Sequence, residues 1–136
     1  MTDLSIFNTE KLSSDGAELH LAHPVTGEPV YLDDEKKMPI TITVKGTDSD
    51  VYQRALQKAT NKARTSKQTD DVDYDYLITE TVELYADMVL GWKNINHDGK
   101  ALKFNRDNAV LLFSTYKEIR KQVGDFMAEK ANFIKG

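Results

Sequence analysis

The sequence predicts an α+β fold: a mainly helical bundle of about four helices carrying a small N-terminal antiparallel β-sheet. Three observations lead there. Pro39-Ile40-Thr41-Ile42-Thr43-Val44-Lys45 alternates apolar and threonine positions with a period of two, as a half-buried strand does. Ile78, Val82, Tyr85, Val89 and Trp92 step by four and three, the spacing of one helix face. Ile119, Val123, Phe126, Met127, Phe133 and Ile134 repeat that spacing near the end of the chain. With 136 residues the chain is long enough for one core without staples.

Taken in order, residues 1–16 are polar with scattered Leu4, Ile6, Phe7 and Leu12, and read as a flexible arm or an edge strand. Residues 17–136 then read as a single domain, β-rich over 17–46 and helical over 47–136. Ala17 to Ala22 alternates weakly. His23-Pro24-Val25-Thr26-Gly27-Glu28-Pro29 is turn chemistry, since two prolines fix φ and Gly27 is free to take positive φ. Val30-Tyr31-Leu32 resumes the apolar run, so a hairpin over 17–32 is predicted. With the strand over 39–45 it makes a three-stranded sheet whose dry face must be covered by helix.

Thr47-Asp48-Ser49-Asp50 offers capping oxygens and early acids for a helix bearing Tyr52, Ala55, Leu56, Ala59 and Ala63. That helix is expected to fade near Thr65-Ser66-Lys67. The next runs from about Asp73 to Trp92, widened by Leu77, Leu84 and Met88, and belongs at the centre of the core. Asp98-Gly99 marks a tight turn, and Asn105 caps a short helix through Phe113. Thr115-x-x-Glu118 has the form of a capping box for a last helix from Tyr116 towards Ile134.

Charge is segregated. From Val51 to Thr69 the charges are Arg54, Lys58, Lys62, Arg64 and Lys67; from Asp70 to Trp92 they are Asp70, Asp71, Asp73, Asp75, Glu80, Glu83 and Asp87. The two faces can pair within one subunit, at roughly 0–1 kcal/mol per exposed pair, or between subunits, where complementarity steers self-association. Lys and Arg total 18 against 22 Asp and Glu, a net charge of −4 that gives no footprint for nucleic acid. The start of the chain lacks the basic and apolar regions of a signal peptide. Apolar tracts fall far short of the roughly 20 residues of a membrane span. A soluble, intracellular protein is the expectation.

Chemistry finds little purchase. The chain has no cysteine, which excludes disulfides and thiolate metal sites. Asp71-x-Asp73-x-Asp75 resembles a calcium loop, but Tyr76 stands where the glycine belongs and Val82 where the glutamate belongs. Asn94-x-Asn96-x-Asp98-Gly99 places its glycine correctly yet opens with an amide and reaches Asn105 at the glutamate position. His20, His23 and His97 have no ligand-spaced partner. Ser13 lacks a nucleophile elbow, and there is no phosphate loop or dinucleotide fingerprint. Neither enzyme, metal nor cofactor is expected. Trp92, the only tryptophan, has two readings: it closes the core with its indole N–H on a loop carbonyl, or it anchors a partner.

One ordered series of short motifs resembles a known family. Gly91-Trp92, Asp98-Gly99-Lys100-x-Leu102-x-Phe104, Asn108-Ala109-x-x-Leu112, Ile119-Arg120-x-Gln122-Val123-x-x-Phe126 and Asn132-Phe133 are similar to the tail assembly chaperones of long-tailed bacteriophages, the lambda-type G protein and its relatives. Pro24-x-Thr26-Gly27-Glu28 and Ile42-x-Val44-x-Gly46-x-Asp48-Ser49 extend the series to nearly the whole chain from residue 19. The resemblance implies a homo-oligomer that binds the tape measure protein, keeps it soluble while tail tube subunits polymerise, and is absent from the mature virion. It also implies a cytoplasmic role in the infected bacterium. In that family a frameshifted longer product recruits the tube protein, and a chain ending at Lys135-Gly136 corresponds to the short product. Partner contacts are then expected at Trp92, Phe126, Phe133 and Ile134, chiefly on the last helix. Alternatives are a structural tail or connector component kept in the virion, and a small host-directed regulatory binding protein.

Overall fold

Ile42 and Val44, each 0% exposed, mark the strand around which the sheet is built. The computed structural model describes residues 3–65 and 74–134. Strand β1 (Ala17–His20) and β2 (Thr41–Val44) pair antiparallel, and β3 (Val89–Lys93) pairs with the other edge of β2. Ile42 faces Leu19 on one side and Trp92 on the other, while Val44 faces Ala17 and Val89 across a register irregularity. The sheet is antiparallel as the sequence predicts, but it is not built from the N-terminal half alone. Residues 30–32 do not supply the third strand. Only isolated bridges form around them, Ala22 to Pro29 and Tyr31 to Pro39. Pro29 and Pro39 lack the amides a continuous ladder needs there.

The true third strand overturns the predicted helix from 73 to 92. Val89 and Trp92 continue the helical spacing, but their β-branched and aromatic side chains suit a strand equally well, and pairing with β2 decides the matter. The chain then turns at Asn94, with φ 63, whose side-chain amide donates to Pro39 O at 2.8 Å. Strands β4 (Asn96–His97) and β5 (Lys100–Ala101) form a separate hairpin. Its two turn residues, Asp98 and Gly99, both have positive φ, as a two-residue hairpin loop requires.

Among the described residues there are five α-helices, one more than about four. The extra one is α1 (Thr9–Asp15), preceded by a 3-10 turn at Leu4–Phe7, where an arm or edge strand was expected. Local capping explains it. Asp3 accepts the amide of Ser5, Asn8 accepts that of Lys11, and Lys11 pairs with Asp15 one turn on. Helix α2 (Asp50–Thr65) starts where predicted, with Ser49 Oγ accepting the Tyr52 amide. Helix α3 (Tyr74–Met88) leads directly into β3. Helix α4 (Arg106–Thr115) is capped by Asn105, whose side chain accepts the Asn108 amide at 2.7 Å.

Helix α5 (Lys117–Ala128) departs from expectation at both ends. Thr115 closes α4 instead of capping α5; the cap position is Tyr116, with no side-chain bond, so the capping box does not form. At the other end a 3-10 turn, Lys130–Asn132, replaces the last turns predicted to reach Ile134. Asn132 Nδ2 donates to Phe126 O at 2.9 Å and satisfies a carbonyl of the helix end. Val82, Ala86 and Met88 of α3, Ala109, Leu112 and Phe113 of α4, and Val123 and Met127 of α5 are buried together against the sheet.

The segregated charges pair locally where they are described. Arg54 bonds Asp50 in its own helix at 2.8 Å, and Arg106 of α4 bonds Asp87 of α3 at 3.0 Å. The side chains of Lys62 and Arg64, and residues Lys67, Asp70, Asp71 and Asp73 with the calcium-like spacing that they begin, lie outside the described residues.

Candidate functional site

The α4–α5 junction makes a sharp corner, and a largely apolar cleft of about 560 Å³ opens beside it. One wall is Leu112, Thr115, Tyr116 and Ile119; the other is Leu21, Ala22, Pro24, Val30 and Ile40, with Ile95 between them. Three polar contacts set this shape. Arg120 Nη1 donates to Phe113 O at 2.7 Å, satisfying a carbonyl at the end of α4 and holding the corner. Gln122 clasps the opposite wall: its Oε1 accepts the Ala22 amide at 2.9 Å and its Nε2 donates to Ala22 O at 2.8 Å. Tyr116 at the mouth is hydrogen-bonded to His97 Nδ1 at 2.6 Å, while His97 Nε2 stands 3.4 Å from the Asp98 carboxylate.

These bonds give a second role to residues of the motif series. Arg120 and Gln122 hold walls together, and the turn from His23 to Pro29 shapes the far wall through His23, whose Nδ1 accepts the Val25 and Thr26 amides. His20 is likewise occupied, its Nε2 donating to Val30 O at 2.8 Å. Among the described residues no group of three His, Cys, Asp or Glu side chains is placed to hold a metal ion. No described helix is long and apolar enough to cross a membrane.

The four sequence-predicted contact residues fall in two places. Trp92 is half-buried in the sheet; its indole N–H donates to Leu102 O at 2.7 Å and its ring stands edge-on to Phe104. The bond to a loop carbonyl that the first reading expects is present. Phe126 and Phe133 meet edge-on with centroids 5.7 Å apart, and Phe133 is only 4% exposed. Ile134 is half-buried. A Cβ at Gly46 would stand 2.9 Å from the Phe133 ring, so that ring packs directly on backbone. Phe133 is thus closed off, while Phe126 and Ile134 keep part of their surface.

Sequence reasoning did not assemble the cleft, because its walls lie about 100 residues apart in the chain. The one local signal is Gln122, an amide set among Ile119, Val123 and Phe126 on an apolar face, where an unpaired polar group is costly.

Behind the corner, Tyr85 of α3 lies against Gly124 of α5. Burial pushes its phenol above the ordinary tyrosine range, Tyr52 and Asp125 add to the shift, and Arg120 opposes it.

Residues 47–135 match the family described as YdaY prophage protein, and the chain belongs to that family. The match spans α2 to α5, including the α4–α5 wall of the cleft. No curated protein and no solved structure matches the chain. Membership makes this a phage-associated protein.

Proposed function

We propose that this phage-associated protein is a tail assembly chaperone. It binds and solubilises the tape measure protein and helps to recruit tail tube subunits, directly or through a longer frameshifted product. It works in the cytoplasm of the infected bacterium and leaves before the virion is complete.

The observation that carries this reading is the cleft at the α4–α5 corner. Its walls are largely apolar, and its concave shape suits the apolar stripe of an amphipathic helix. A tape measure protein offers many such stripes, each weak alone, and a chaperone present in many copies covers them collectively. Family membership gives a phage context, and the resemblance of the ordered motif series supports this client over a host protein.

Co-expression tests the proposal. Tape measure protein made alone should pellet, and made with this chain it should stay in the supernatant and co-purify with it. Unchanged solubility overturns the reading. Recovery of the chain from purified virions would instead support a structural tail component.

A further inference from the structure

Tyr116 is tied to the β4–β5 hairpin as well as lining the cleft. Its hydroxyl lies 2.6 Å from His97 Nδ1, and the two rings stand edge-on with centroids 5.7 Å apart. The other imidazole nitrogen, Nε2, is 3.4 Å from the Asp98 carboxylate. Among the described residues, the Tyr116–His97 contact is the only hydrogen bond joining the hairpin to the α4–α5 corner. The order of these groups dictates where the protons sit. A neutral imidazole has one N–H and one lone pair, and a carboxylate only accepts. Nε2, beside Asp98, is therefore the nitrogen that keeps the proton. Nδ1 is left as the acceptor, and Tyr116 donates to it. A second proton, taken from water at Nδ1, reverses the bond. Nδ1–H then donates, the Tyr116 oxygen accepts, and the hydroxyl proton turns away from the ring.

We infer that Asp98, His97 and Tyr116 form a proton-reversible latch at the mouth of the cleft. With His97 neutral, the Tyr116 hydroxyl spends its proton on the imidazole and offers only lone pairs to its surroundings. With His97 charged, the same hydroxyl offers its proton instead. The latch holds in both states, and what changes is its polarity. Histidine is the side chain suited to such a change between about pH 5 and 8. Other charged groups stand nearby. Lys100 is the partner of His97 across the hairpin, and Lys117 and Glu118 follow Tyr116 with opposite signs. Among the described residues only the Asp98 carboxylate comes within ion-pair reach of the ring, which makes Asp98 the group that selects the tautomer.

The test uses neither tape measure protein nor any cleft ligand, so the latch and the chaperone reading fail separately. The full chain, with its histidine nitrogens isotope-labelled, is followed by imidazole NMR from about pH 8 to about pH 5. His97→Gln identifies the His97 signals. At the upper end, the wild-type ring should carry its proton on Nε2 rather than Nδ1 by at least about fivefold, the worth of one hydrogen bond. That ratio needs no variant. Asp98→Gly keeps the positive-φ turn and removes the carboxylate, and most of the excess should be lost. Tyr116→Phe removes only the hydroxyl. It should move the Nδ1 resonance at the upper end and leave the proton on Nε2. In acid, the Nδ1 proton of wild type should exchange with water about fivefold more slowly than that of Tyr116→Phe. Circular dichroism confirms that each variant is folded. A wild-type ring protonated on Nδ1 at the upper end would overturn the latch. So would an unchanged ratio in folded Asp98→Gly, or an Nδ1 proton no better protected in wild type than in folded Tyr116→Phe.

Discussion

The two ends of α5 carry similar apolar residues and meet opposite fates. At the C-terminal end, Phe126 and Phe133 stack on each other, and Phe133 is driven against Gly46 and out of water. At the N-terminal end, Ile119 and Tyr116 face a cleft that none of the described residues fills. Apolar content alone would have chosen the first end as the binding surface. What separates them is the chain that follows. Asn132 folds the tail back over one end, whereas Gln122 holds the opposing wall beside the other without closing it. A free surface is thus decided by which polar groups tether the neighbouring backbone.

Breaking the closed end should cost stability, and Phe133→Ala gives the largest effect. Removing a buried aromatic ring costs about 3–5 kcal/mol, read from the denaturant midpoint. A smaller effect is expected from Gly124→Ala, whose Cβ would stand 2.5 Å from the Tyr85 hydroxyl and push the phenol aside, partly offset by the roughly 1 kcal/mol of helix propensity that alanine adds. Gln122→Ala sharpens the contrast. It should destabilise by only about 1–2 kcal/mol, yet it releases the Ala22 wall, so binding through the cleft should fall further than stability does. The smallest effect is in pH. The Tyr85 phenol ionises at higher pH in the folded state than in the unfolded chain. Its contribution is therefore intact below the ordinary tyrosine value of about 10 and declines as pH rises above it. Tyr85→Phe should flatten that decline in denaturation curves taken above pH 10.

The same contrast shows which parts of the fold could be read from the sequence. Contacts closed within a few residues were legible: Ser49 and Asn105 cap their helices, and Asp98-Gly99 makes its turn. The central strand was legible because Ile42 and Val44 alternate with threonines on a buried face. Residues 89–93 were not, since their spacing fits a helix as well as a strand and the choice is made by pairing with β2, more than 40 residues earlier. The capping box failed for a related reason: Tyr116 sits at the α4–α5 corner, bonded to His97, and the corner geometry overrides the local pattern. The cleft was least legible of all. Its clasp joins Gln122 to Ala22, and no window of sequence contains both walls.

The most direct test sets the two ends of α5 against each other in one co-expression experiment. Tape measure protein is produced with the wild-type chain and with the Thr115→Trp chain, whose cleft mouth is filled at an exposed position. Soluble tape measure protein is then quantified. The expected result is a soluble client with wild type and a pelleted client with folded Thr115→Trp. Equal solubility with both chains would contradict a client site at the α4–α5 corner.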